Sequence, residues 1–237
     1  MCVACIFLYL KGEWKMTDYI FQDKTDLVNH LFYKLSDASP IKIQKTLYFL
    51  FAFYGATYGK LSGEESVGEL ESINYTNFLF KPNFEAWKYG PVDDEVYTAY
   101  REDRYEAVQL TEDKLNEKLT PSEKRNVHQF IDSIIQQTDE VDDFTLVDRT
   151  HEDDAWRVPF EEKEGEMHIK MDPQVIVDEY AEKYNNILVI HQENQGVSVA
   201  RNAGMSIAVG KYLVFVDPDD WVAENFYSQM TFAVQKN

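Results

Sequence analysis

Along the first two thirds of the chain, apolar residues return every three or four positions. Leu27, Val28, Leu31, Phe32 and Leu35 form one such stripe, with Asn29 and Lys34 turned away, and predict an amphipathic helix over 26–35. Ser39-Pro40 then marks a second start, because serine caps orphan amides and proline suits the first helical position. The stripe that follows, Ile43, Leu47, Leu50, Phe51 and Tyr54 with Tyr58 continuing it, predicts the central core helix, loosened near Gly55 and Gly59. Lys42, Gln44, Lys45 and Tyr48 fall largely off that stripe, which makes them available to a surface or partner or, more plainly, to solvent.

Two aromatic-rich runs, 77–79 and 84–87, flank Lys81-Pro82-Asn83 and predict a small hairpin or wing closed by Gly90-Pro91. Val92, Val96, Tyr97 and Tyr100 return to helical spacing, with acids at 93–95 near the start, where the helix dipole favours them. Thr120-Pro121-Ser122-Glu123 is a capping box, and Val127, Phe130, Ile131, Ile134 and Ile135 continue it as an unbroken stripe. A short helix is expected at 145–150, Trp156 is expected to pack back onto the bundle, and the charged stretch 161–177 reads as a linker. Beyond it the period changes. Short apolar runs at 188–190 and 212–216 enclose a small-residue helix at 197–208, the pattern of a βαβ unit. The expected fold class is therefore α+β: a mostly helical N-terminal domain (16–160) with a β wing, then an incomplete α/β fragment (178–237).

At 237 residues the chain can bury a sizeable core without cross-links. Its net charge of −19 argues against a nucleic-acid backbone as ligand and favours a basic partner, although each acidic run (64–71, 139–143, 152–154, 161–166) taken singly reads as solvated loop. The two cysteines, Cys2 and Cys5, supply neither a disulfide framework nor a metal set, which suits a reducing cytoplasm. The apolar run Cys2 to Leu10 is too short to span a bilayer, and residues 1–15 read as a tail, with Met16 a candidate start.

Three blocks resemble one family. They are Lys42-Ile43-Gln44-Lys45-Thr46-Leu47-Tyr48-Phe49, then Phe84-Glu85-Ala86-Trp87-Lys88-Tyr89-Gly90-Pro91-Val92 with Tyr97, then Thr150-His151-Glu152 with Trp156. Their order and spacing are similar to the SocA-like or Panacea antitoxins, with Thr46 where leucine is usual. The resemblance implies a protein, often encoded in prophages or mobile elements, that binds and blocks a partner toxin, in some relatives by handing it to a protease. It implies no cofactor. Phe84, Trp87, Tyr89 and Trp156 are also the residues a helical core would use anyway, and His151 reads better as a core or capped histidine than as a general base.

The blocks Gln192-Glu193-Asn194-Gln195-Gly196-Val197-Ser198-Val199-Ala200-Arg201-Asn202 and Phe215-Val216-Asp217-Pro218-Asp219-Asp220-Trp221 look like the middle of a family 2 glycosyltransferase. The resemblance implies that Asp217 and Asp219 meet Mg²⁺ or Mn²⁺ and a nucleotide sugar, with Gly196, Arg201 and Asn202 in the donor-binding region. On that resemblance the family's opening strand and nucleotide loop are expected before Asp178, where the helical domain and linker stand instead, and the catalytic-base region is expected beyond Asn237. The fragment is therefore expected to be an inactive remnant of a fusion or truncation, with a metal-dependent transferase as the alternative.

Overall fold

The computed structural model describes residues 19–59, 74–163, 168–184, 196–207, 213–215 and Phe226. The chain divides into two compact units, Met1–His191 and Gln192–Asn237. The first is mostly helical with two small sheets. Its elements are β1 (Tyr19–Phe21), α1 (Thr25–Lys34), α2 (Pro40–Tyr54) with a π-helical turn at Gly55–Gly59, β2 (Phe78–Phe80), β3 (Phe84–Trp87), β4 (Gly90–Asp93), α3 (Asp94–Arg101), α4 (Pro121–Asp139), α5 (Asp143–His151), α6 (Asp154–Glu162) and α7 (Pro173–Lys183).

The predicted caps form as chemistry requires. The Ser39 side chain accepts from the Lys42 amide at the start of α2, and Thr120 and Glu123 close a reciprocal capping box on α4. Central placement of α2 also holds, but its one-sided reading does not: twelve of its fifteen residues are buried, because α1, α3, α4, α5, α7 and both small sheets pack around it. Lys42, Gln44, Lys45 and Tyr48 therefore lie inside the unit rather than on its surface.

The wing differs from expectation in its pairing. β2 runs parallel to β1 (Tyr19 opposite Phe78, Phe21 opposite Phe80), so Lys81-Pro82-Asn83 is a connection between sheets. The hairpin joins β3 to β4, Trp87 opposite Gly90, and turns at Lys88-Tyr89; Gly90 and Pro91 stand in its second strand. Gly90 has φ +87°, and a Cβ there would lie 2.4 Å from Thr150 Oγ1 and 2.9 Å from Lys45 Nζ. Gly90→Ala is expected to cost about 2 kcal/mol of stability, since strain and crowding act together. An unchanged melting temperature would mean that the turn relaxes at no cost.

The part of the expected linker from His168 onward is likewise part of the fold. Exposure alternates from His168 to Asp172, with Ile169 and Met171 in the core, and this stretch pairs with the outer edge of β3 through Ala86 N to Ile169 O (2.8 Å) and Met171 N to Phe84 O (3.0 Å). α7 then closes the core. Tyr180 is fully buried against Phe53 (4.9 Å between rings) and Tyr48 (6.1 Å), and the missing side chain of Gly55 makes room for Val177. The boundary at 160 thus moves beyond α7, because the core is incomplete without it.

In the second unit the predicted helix forms as α8 (Val197–Ile207). The expected strand at 188–190 lies outside the described residues, and Leu213, Val214 and Phe215 are described without a strand pairing among them. The expected tail with Cys2 and Cys5, and the acidic run 64–71, also lie outside. No helix among the described residues is long and apolar enough to cross a membrane.

Candidate functional site

A cavity of about 230 Å³ opens where the N-terminal turn of α2 meets the β3–β4 hairpin. Five residues singled out in the sequence line it: Gln44 and Lys45 from α2, Trp87 and Tyr89 from the hairpin, and Tyr97 from α3, whose ring meets Trp87 edge-on at 5.1 Å. Amphipathic spacing alone does not predict this convergence. It follows from the hairpin lying across α2, so that β4 covers the face carrying Gln44 and Lys45.

The polar groups on that face have distinct roles. Gln44 is spent on the backbone: its Oε1 accepts from the Asp93 amide (2.7 Å) and its Nε2 donates to the Asp93 carbonyl (3.3 Å), which fixes the end of β4 against α2. Lys45 is 1% exposed and donates to the Pro91 carbonyl at 2.9 Å. Burial holds its pKa down to about 7. Lys42, one turn earlier, caps the end of α4 by donating to the Thr138 and Val141 carbonyls and lies 3.6 Å from Asp143.

The remaining motif residues support these. Phe84 packs edge-on against Tyr48 (5.6 Å) in the core. His151 stacks on Trp156 at 4.0 Å, and Trp156 Nε1 donates to the Trp87 carbonyl (3.0 Å), anchoring the hairpin to α6. Burial lowers the His151 pKa, the Lys45 charge adds to that, and Nε2 of His151 is buried with no hydrogen-bond partner. The ring as a whole is half-buried, with Trp156 covering one face.

Sequence reasoning missed the buried carboxylates. Asp153, the middle of an acidic run read as solvated, is fully buried and accepts from Tyr180 (2.8 Å), Lys183 (2.8 Å), Tyr48 (3.1 Å) and Arg149 (3.1 Å), while Glu152 and Asp154 beside it are exposed. Asp93 accepts from Lys24 (2.7 Å) and from the Asn83 and Val96 amides. Glu85 accepts from Lys170, Trp87 Nε1 and His168 Nδ1, each at 2.8 Å. Burial pushes the Glu85 pKa up, but these donors outweigh it and hold it below the usual range. Glu85, Asp94 and His168 bring ligand atoms within 4.8 Å of one another, a spacing a metal ion would fit. Lys170 already supplies the balancing positive charge on Glu85. None of these acids stands apart from its neighbours by residue type; only the pairing across the fold distinguishes them.

In the second unit Gly196 has φ +88°, Asn202 is exposed, and the Arg201 guanidinium lies over the Phe215 ring at 5.4 Å. Asp217 and Asp219 lie outside the described residues.

Residues 69–157 match the family model "Antitoxin SocA-like, Panacea domain", and residues 170–237 match "Glycosyl transferase family 2". Neither match spans half of the chain, which is similar to a SocA-like Panacea domain over the first stretch and to a glycosyltransferase family 2 segment over the second. The Panacea match is narrower than 16–160 and takes in the whole hairpin, α3 and the His151–Trp156 stack. Curated relatives match the chain over short stretches. The uncharacterized glycosyltransferase YibD of Escherichia coli is 49% identical over 57 residues, 24% of this chain and 17% of its own. The minor teichoic acid biosynthesis protein GgaB of Bacillus subtilis is 47% identical over 58 residues, 24% of this chain and 6% of its own. The glycosyltransferase GlyA of Streptococcus pneumoniae is 45% identical over 51 residues, 22% of this chain and 7% of its own. The chain thus spans less than a fifth of the length of each. No solved structure matches.

Proposed function

We propose that this chain is a cytoplasmic antitoxin that neutralises a partner protein toxin by direct binding, in a phage- or mobile-element-borne toxin–antitoxin pair. The observation that carries the reading is the Panacea match over 69–157, whose hairpin and Tyr97 meet the α2 residues Gln44 and Lys45 around one cavity. A cavity walled by Trp and Tyr suits protein recognition, where such residues supply most of the binding energy. The role needs no cofactor and no chemistry. Delivery of the bound toxin to a protease is a second way the same contact would act.

The test is co-expression of the full chain with each small neighbouring open reading frame. One of them is expected to arrest growth alone, to be relieved by this chain and to co-purify with it; failure of relief and of co-purification with every neighbour sinks the reading. The alternative, a metal-dependent glycosyltransferase or its inactive remnant, is supported by the family match over 170–237 and by 45–49% identity over 51–58 residues to the relatives above. It predicts binding of a uridine diphosphate sugar that requires Mn²⁺ or Mg²⁺ and is lost in Asp219→Ala.

A further inference from the structure

We propose that the cavity between α2 and the β3–β4 hairpin is a socket for an acidic side chain of the partner toxin, seated on the Lys45 amine with an apolar neighbour against the aromatic walls. The partner's identity as a toxin rests on the reading above; the carboxylate preference of the socket does not.

Cations elsewhere in the unit show what is unusual about Lys45. Lys24 lies 2.7 Å from Asp93, Lys183 lies 2.8 Å from Asp153, and Lys42 has Asp143 alongside. Lys45 is more deeply buried than Lys24 or Lys42, yet among the described residues no carboxylate pairs with it, and one carbonyl takes one of its three N–H groups. Groups facing it from the surrounding elements do not supply an anion. β4 gives the Pro91 carbonyl, α5 gives the Thr150 hydroxyl near Gly90 and the His151 ring, and α2 gives Gln44, already committed to the Asp93 backbone. Asp148 acts on His151. In a chain of net charge −19, a buried lysine with no acid of its own is a place where an incoming carboxylate would restore the charged form.

The entrance supports the same occupant. Tyr89 is 51% exposed, and the ring of Phe144, 63% exposed, lies 6.5 Å from it. Exposed Lys88 sits over the Tyr89 ring at 5.5 Å, adding positive charge at the rim. An incoming carboxylate thus meets Lys88 first and Lys45 at the end of its path, while its neighbour finds Trp87, Tyr89 and Tyr97. Because burial keeps the free amine near pH 7, the occupied socket must take up a proton above that pH, so affinity falls as pH rises.

The experiment titrates the full chain with 3-phenylpropionate and with its neutral isostere 3-phenylpropionamide, comparing the natural protein with Lys45→Met after circular dichroism confirms that the variant folds. The carboxylate is expected to bind at least about tenfold more tightly than the amide at pH 6.5, to lose about tenfold by pH 8.5, and to lose its advantage in Lys45→Met. Equal binding of the two probes, no binding of either, or an undiminished carboxylate preference in Lys45→Met each overturns the socket. Where a toxin has been found by co-expression, Lys45→Met is expected to lose co-purification. A complex that survives the substitution overturns the socket and leaves the antitoxin reading standing; a carboxylate preference with no neighbouring toxin does the reverse.

Discussion

Asp153→Ala is expected to destabilise the first unit by about 3 kcal/mol or more, read as a lowered urea midpoint of unfolding. One fully buried carboxylate accepts from Tyr48 on α2, Arg149 on α5, and Tyr180 and Lys183 on α7. Removing it leaves two buried hydroxyls without their acceptor and two partly buried cations without their counter-charge, and breaking such a network from one side costs roughly 3 to 5 kcal/mol. Asp153→Asn keeps the shape and an acceptor oxygen, and is expected to fall between the two. A loss below about 1 kcal/mol in the alanine variant would show that water replaces Asp153 and that α7 is held by its rings alone.

Lys45→Met is expected to act in the opposite direction, stabilising the unit at pH 7 by on the order of 3 kcal/mol. The unfolded chain holds the lysine proton up to about pH 10.4, whereas the folded chain releases it near pH 7. Between those values unfolding takes up a proton, so this group makes stability rise with pH from about 7 to about 10 and imposes its full cost below 7. Methionine fills the same space without charge, at the expense of one hydrogen bond to Pro91. Urea unfolding of both proteins at pH 7 and pH 9.5 checks the sign: the variant's advantage should shrink at the higher pH. A variant less stable at pH 7 would mean that an acid already balances Lys45. Stability given up at a residue that lines a cavity is the usual mark of a position kept for binding.

The sequence disclosed whatever was decided by neighbours in the chain. Ser39-Pro40 and the Thr120–Glu123 box read correctly because capping is local chemistry, and the stripe of α4 read correctly because only one of its faces is covered. α2 misled because a polar residue on a helix usually means water, whereas Lys42 and Gln44 reach backbone groups on α4 and β4 that only the fold brings near. The hairpin register was illegible for a related reason: β2 takes its partner from β1, more than fifty residues earlier, and Lys88-Tyr89 lacks the usual Asn-Gly chemistry of a tight turn. The 168–172 edge, at five residues, was too short for its alternation to stand out against charged neighbours. The candidate site was legible as a set of residues and not as a place. Nothing in the spacing of Lys45 and Tyr89 states that one lies at the base of a cavity and the other at its mouth.

α7 is counted with the glycosyltransferase family by its sequence and with the helical domain by its packing. An amphipathic helix makes only a general demand on its neighbours, an apolar stripe of the right spacing and a gap to fill, and Ile176, Val177 and Tyr180 satisfy the gap beside Gly55 and Tyr48. The start of the glycosyltransferase match, at residue 170, therefore lies upstream of the boundary between the two compact units, after His191. A chain cut where that match begins would lose α7 and leave Tyr48, Phe53 and Gly55 uncovered, so the smallest piece that keeps the core of the first unit closed runs on through Tyr184.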